Sequence, residues 1–351
     1  MSRCPNMPEN WEPPAPAWRC AFAQAKGVVV AHFGSQADRD GPTALDEWIA
    51  QYHGGQDAPS RVDRATYRDN AGKFGRLALC YWLDRGSFDR WFSGATSWWA
   101  DDARLGEGVG YFRELYDIPV ERFETIWSNP SAHAIGVRDF LAIEGPMREH
   151  AYWGAARDRL PVSDLDDLLS PLGAELSLSD ADTLGRRIIV TPPENLCVIR
   201  SGQDWSRCND TEMESYFASV EPALRAGMEF LTSHRDQTGC IDCRFAHEFG
   251  ASGEPIAQTF GLAQFLTLGH LEHWSKSHET HLAIFDRFMA MLAAHDFDVS
   301  LHLYHELFVT SRDNPAFEYI NCHNRTGLLS VGLAAREEQG SDRSLRKGGN
   351  P

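Results

Sequence analysis

The sequence predicts an α+β fold in which two similar units pair their sheets into one barrel-like core with helices outside. Two observations predict it. Short β-like runs alternate with helix-like ones along most of the chain. A weak internal repeat also relates the two halves: Phe88-Asp89-Arg90-Trp91 resembles Leu271-Glu272-His273-Trp274, an offset of 183. At that offset the run ending near Trp127 falls opposite the run ending near Thr310. Each half is then expected to read strand, helix, strand, helix, strand. The length, 351 residues, is enough for a large buried core.

In chain order, residues 1–25 are Pro-rich and carry Trp11 and Trp18, which reads as an irregular arm packed through its aromatics. Residues 26–335 read as one domain of two pseudo-repeats, about 26–150 and 185–330. Within the first, Val28–Val30, Leu77–Trp82 and Phe123–Trp127 are rich in β-branched, aliphatic and aromatic residues and are expected as strands; 43–52 is amphipathic and expected as a helix. Within the second, Arg187–Val190, Leu196–Ile199 and Leu301–His305 are expected strands. Helices are expected over 211–232 and 277–294. Residues 336–351 turn to Arg, Glu, Gly and Ser and read as a disordered tail.

Composition narrows the function. Fifty acidic residues against 33 basic ones give a formal charge of −17, so a phosphate-tracking surface is not expected and nucleic acid and anionic membranes are poor partners. No apolar run reaches the ~18 residues of a membrane span, and Met1-Ser2-Arg3-Cys4 opens no secretory h-region, so a cytoplasmic protein is expected. Eight dispersed cysteines read as reduced thiols, and the lone Cys240-Ile241-Asp242-Cys243 as two cysteines of a strand or turn. There is no phosphate-binding Gly-rich loop, HExxH or EF-hand loop.

Chemistry concentrates between Gly269 and Val309. At helical spacing one stripe reads Trp274, His278, His281, Phe285, Phe288, Leu292. His281 sits within it, either as a core histidine bonded to a carbonyl or as a metal or haem-iron ligand. Phe285 and Phe288 read as core. His278 and His281, three apart, make a weak zinc pair without carboxylate company. Along 301–309 the odd positions are aliphatic except for His305, a polar group on an apolar face. His302 and Glu306 fall on the mixed face, where a solvated role is expected. Ser201 follows an apolar strand and reads as a site hydroxyl or a turn residue, and Arg159 as a surface charge or a site residue.

Six segments in order resemble the haem-containing aldoxime dehydratases (the phenylacetaldoxime dehydratase family). They are Ser97-Trp98-Trp99 with Gly110-Tyr111-Phe112-Arg113-Glu114; His150-Ala151-Tyr152-Trp153-Gly154 with Arg157 and Arg159; Ile199-Arg200-Ser201-Gly202-Gln203-Asp204-Trp205; Ser277-His278-Glu279-Thr280-His281-Leu282; Leu303-Tyr304-His305-Glu306; and Glu318-Tyr319-Ile320-Asn321-Cys322-His323. The resemblance implies duplicated ferredoxin-like units forming an elliptical β-barrel flanked by helices, in a homodimer. It implies a b-type haem, ferrous in the active state, with His281 as axial iron ligand. It implies His305 as the distal catalytic histidine, with Ser201 and Arg159 beside it, and dehydration of an aldoxime, R–CH=N–OH, to a nitrile. The stretch Ala293–Ser300 is slightly longer than the family pattern. A haem peroxidase-like enzyme and a non-catalytic haem sensor or binding protein are the alternatives.

Overall fold

The computed structural model describes residues 4–131, 133, 135–331 and 335–337. The elements run β1 (Arg19–Ala21), β2 (Gly27–Ala37), α1 (Ala44–Tyr52), β3 (Arg61–Arg68), β4 (Phe74–Trp82), α2 (Arg85–Ala100), α3 (Ala103–Gly106), β5 (Gly110–Pro119), β6 (Phe123–Trp127), β7 (Ala142–Glu144) and α4 (Ala155–Arg159). They continue with β8 (Arg187–Val190), β9 (Cys197–Asp204), α5 (Asp210–Ser215), α6 (Glu221–Ser233), α7 (Arg235–Thr238), β10 (Cys240–Phe249), β11 (Pro255–Phe265), α8 (Leu268–Ser277), α9 (Glu279–Ala294), β12 (His302–Val309), β13 (Phe317–Ile320) and β14 (Ala335–Glu337). The short β1 pairs only with β7. The other strands form one curled sheet in the order β14-β8-β13-β5-β2-β4-β3-β10-β11-β9-β12-β6, antiparallel at every seam.

Two units share one topology. The first runs β2-α1-β3-β4-α2-β5 and the second β9-α5/α6-β10-β11-α8/α9-β12. Each lays its strands in the order fourth, first, third, second, and the two second strands, β3 and β10, join the units. The match extends to packing. Gly34 lies opposite Phe112, and a Cβ on it would come within 2.0 Å of that ring. Gly202 lies opposite Tyr304, and a Cβ on it would come within 2.1 Å. Each glycine therefore makes room for an aromatic ring from the neighbouring strand.

The expected strand-helix-strand-helix-strand unit lacks one strand of each hairpin. Trp91 and Trp274 do occupy matching places, in α2 and α8, each helix following its unit's third strand. Further on the offset of 183 fails. β6 is not the counterpart of β12 but its sheet neighbour, with Ile126 opposite His305. The counterpart is β5, and the longer α8–α9 pair shifts the register. The expected helix 211–232 carries a π-helical stretch at Tyr216–Val220, just before Pro222, which has no N–H to offer the preceding turn. β14 takes in the first two residues of the expected tail; 338–351 lie outside the described residues.

The barrel interior holds charge as well as apolar rings. Arg200 bonds Asp63 and, at 2.9 Å, Glu248; Tyr81 Oη donates to Glu306 Oε2 at 2.9 Å. Arg244 reaches Glu114 with contacts of 3.0 and 2.8 Å. The expectation that His302 and Glu306 are solvated is thus overturned. Their face of β12 points into the barrel, where both are buried. Among described residues the His302 ring nitrogens have no hydrogen-bond partner, and the ring stacks against Trp127 at 5.9 Å. Burial holds His302 down to about 4.

The two outer faces differ. In the first unit Phe33 of β2 is covered by Trp48, Trp91 and Trp99 at 5.1, 5.9 and 5.6 Å, which fills the space between sheet and helices. Three of the chain's 11 tryptophans are used there. The matching space in the second unit, over Ser201, is a cavity.

Candidate active site

This cavity, about 390 Å³, lies between the outward face of β9, β11 and β12 and a cover made by α6, α8, α9 and the segment 151–156. Strand alternation sets its floor. One row across the sheet runs Gly261, Ser201, His305, Ile126, each directly opposite the next. The neighbouring row runs Ala263, Ile199, Leu307, Glu124. Ser201 is thus a strand residue, four positions into β9, and not the turn residue that composition also allowed.

Arg159 ends α4 and is buried, which removes the surface-charge reading. Its Nε donates to Glu124 Oε2 at 2.8 Å, its Nη2 to Glu124 Oε1 at 3.1 Å, and its Nη1 to the Glu149 carbonyl at 2.6 Å. His305 Nε2 lies 3.0 Å from Arg159 Nη2 and 2.9 Å from Glu124 Oε1. Burial alone would raise the Glu124 carboxyl. Arg159 and then His305 outweigh it and hold the group at about 2. Glu124 escaped the sequence reading, although a single acid inside Phe123-Glu124-Thr125-Ile126-Trp127 was an available signal.

The segment carrying Arg159 is held by the N-terminal arm. Asn6 Nδ2 donates to Asp158 Oδ1 at 2.7 Å, and Tyr152 Oη donates to Asp158 Oδ2 at 2.8 Å. Trp11 Nε1 donates to the His150 carbonyl at 3.1 Å, and Trp18 exchanges two backbone hydrogen bonds with Trp127.

His281 enters from the helical side. His278 caps α9, so the expected stripe is split between two helices and Trp274 belongs to α8. Phe285 and Phe288 both line the cavity; Phe288 also packs against Tyr216, Val220, Met291 and Leu301, in keeping with the core reading, whereas Phe285 is 47% exposed and departs from it. The His281 ring sits 4.9 Å from Trp274 and 6.1 Å from Trp153. Burial pushes its imidazole down to about 4, opposed by the nearby Ser275 carbonyl. Nδ1 is buried without a hydrogen-bond partner. Cys240 and Cys243 are free thiols within β10, in keeping with the strand reading. Among described residues no group of three His, Cys, Asp or Glu side chains is arranged to hold a bare metal ion.

A family model described as haem-containing dehydratase matches residues 29–328. The chain belongs to the haem-containing dehydratase family. It is 36% identical to a phenylacetaldoxime dehydratase of Bacillus sp. (strain OxB-1) over 338 residues, 92% of this chain and 93% of that one. It is 33% identical to an aliphatic aldoxime dehydratase of Pseudomonas chlororaphis, covering 95% of this chain and 97% of the other. The crystal structure of an aldoxime dehydratase in complex with butyraldoxime superposes with a TM-score of 0.85 at 32% identity, covering 94% of this chain and 92% of that one. Among described residues no helix is long and apolar enough to cross a membrane.

The residues present fit a haem. The cavity is walled mainly by aliphatic and aromatic side chains. The burial that holds His281 near 4 keeps its imidazole neutral at neutral pH, the state that donates a lone pair to iron.

Proposed function

We propose that this protein is an aldoxime dehydratase that converts R–CH=N–OH to R–C≡N and water, with haem b held by His281. The observation that carries the reading is one cavity walled by the His281 imidazole on its helical side and by Ser201, His305 and Arg159 on the other sides. Ferrous haem, when bound, supplies a Lewis-acidic, electron-donating iron for the oxime nitrogen.

The chain's own residues then handle a hydroxyl oxygen and two protons. Hydroxide leaves poorly, so the departing oxygen needs a proton as the N–O bond breaks. Ser201 and Arg159 hold that oxygen by donated hydrogen bonds, which orient it and offset its developing charge. His305 gives the proton and afterwards takes the proton from carbon, so no net proton is consumed. The contacts at Nε2 orient the ring in either protonation state. Glu124 Oε1 at 2.9 Å accepts from the protonated ring, and Arg159 Nη2 at 3.0 Å donates to the neutral one. The apolar lining takes the R group and keeps water away.

The same reading takes the chain as cytoplasmic and as a homodimer, and sedimentation of the purified protein measures the oligomeric state. The test of function is anaerobic incubation of the dithionite-reduced haem protein with a simple aldoxime, followed by gas chromatography. Nitrile in step with aldoxime loss supports the reading. Turnover of a reducing dye with peroxide and no nitrile would point to the peroxidase-like alternative, and Soret absorption with neither activity to a haem-binding protein.

A further inference from the structure

We propose that Met228 sets the length of side chain that this active site accepts, by closing the end of the substrate channel over Gly261. The inference rests on the aldoxime reading and adds the shape of the aldoxime.

The floor row decides the direction. It runs Gly261, Ser201, His305, Ile126, and the polar partners of His305 crowd its β6 end, where Glu124 and Arg159 meet Nε2. An oxime hydroxyl held among Ser201, His305 and Arg159 leaves its R group to run the other way, toward β11. There residue 261 has no side chain, and the space is taken by Met228 of α6. A Cβ on Gly261 would lie 2.8 Å from Met228 Sδ.

Met228 is also a partition. It lines the cavity above Ser201 and a second cavity of about 410 Å³, which α6 forms with β3 and β10 and whose wall includes Arg68, Arg225, Phe245 and His247. Cys243 Sγ touches Met228 Sδ from that side at 3.4 Å. One unbranched thioether therefore separates the two spaces, and such a side chain re-packs readily around an arriving ring. Truncating it joins the cavities along the direction of the R group; a bulky ring in its place seals them.

The test compares kcat/KM for acetaldoxime and phenylacetaldoxime in the reduced holoenzyme, with haem content read from the Soret band of every variant. Discrimination in an apolar pocket is worth ~10-fold or more per small group. Met228→Ala is expected to raise the phenylacetaldoxime-to-acetaldoxime ratio at least ~10-fold, and Met228→Trp to lower it at least as far. Met228→Leu, of similar volume, is expected to leave the ratio within ~3-fold. Spectral titration of each variant with phenylacetaldoxime should show affinity moving the same way without turnover. Equal losses for both substrates, or a ratio unmoved in Met228→Ala, would overturn the inference while leaving the aldoxime reading standing. A wild type that makes nitrile from neither substrate overturns both.

Discussion

Glu124→Gln removes one charge from the best-buried part of the site and keeps its shape. The native carboxylate is 3% exposed and grips the Arg159 guanidinium through two parallel contacts of 2.8 and 3.1 Å. Burial opposes its ionisation, yet Arg159 and His305 bring it from 4.5 to about 2. At about 1.4 kcal/mol per pH unit this corresponds to ~3 kcal/mol of folding stability. The group is a carboxylate with a depressed folded pKa, so the contribution is present above pH 4.5 and is lost as the pH falls toward 2. In Glu124→Gln at neutral pH, Arg159 keeps its charge but has only neutral groups beside it, the amide oxygen, the Glu149 carbonyl and the neighbouring imidazole, and so is a buried cation without a counter-ion. The variant is expected to unfold ~3 kcal/mol more easily in urea at pH 7, with the gap narrowing as the pH falls from 4.5 toward 2. Turnover should fall ~100-fold or more, because Nε2 of His305 loses its charged acceptor and Arg159 its orientation. Haem content, measured from the Soret band, should stay near one per chain. Wild-type stability at pH 7, or wild-type nitrile formation, would refute the role given to Glu124.

Other outcomes follow from the same geometry. His281→Ala should purify without a Soret band even when haem is supplied during expression, as read by the pyridine haemochrome assay. Arg159→Lys keeps the charge but loses the two-pronged grip on Glu124, so kcat should fall ~10-fold or more in steady-state assays with haem retained. His302 is buried, and its pKa is depressed to about 4 from 6.5. The unfolded chain therefore takes up a proton that the native state refuses, and stability drops as the pH falls from 6.5 to 4. His302→Phe should remove ~2 kcal/mol of the wild type's loss between pH 8 and pH 5, measured by urea unfolding at both. An unchanged pH dependence would show that His302 does not titrate as its burial implies.

Legibility in the sequence followed the burial of each strand face. β12 was readable because its outward face is aliphatic around His305. The opposite face was misread because a barrel interior that holds Arg200, Asp63 and Glu248 can also take His302 and Glu306, whereas alternation assigns polar residues to solvent. The same interior concealed β3 and β10. Asp63 on one, and Asp242, Arg244 and Glu248 on the other, break the apolar pattern although all four are buried. Of the site, His281 and His305 stood out as polar residues in apolar surroundings. Ser201 and Arg159 did not, because what distinguishes them is a neighbouring strand and a carboxylate 35 positions upstream. The resemblance supplied both. It did not extend to Glu124, whose role is visible only once β6 lies beside β12.

The most direct measurement is a single turnover of reduced His305→Ala beside the wild type, with the Soret band followed in time and nitrile quantified at the end. Both proteins are expected to carry haem and to show a spectral change on adding aldoxime, because His281 and the apolar walls are untouched. Only the wild type is expected to yield nitrile, with the variant slower by a factor of ~100 or more. Nitrile from His305→Ala at the wild-type rate would contradict the assignment of both protons to His305.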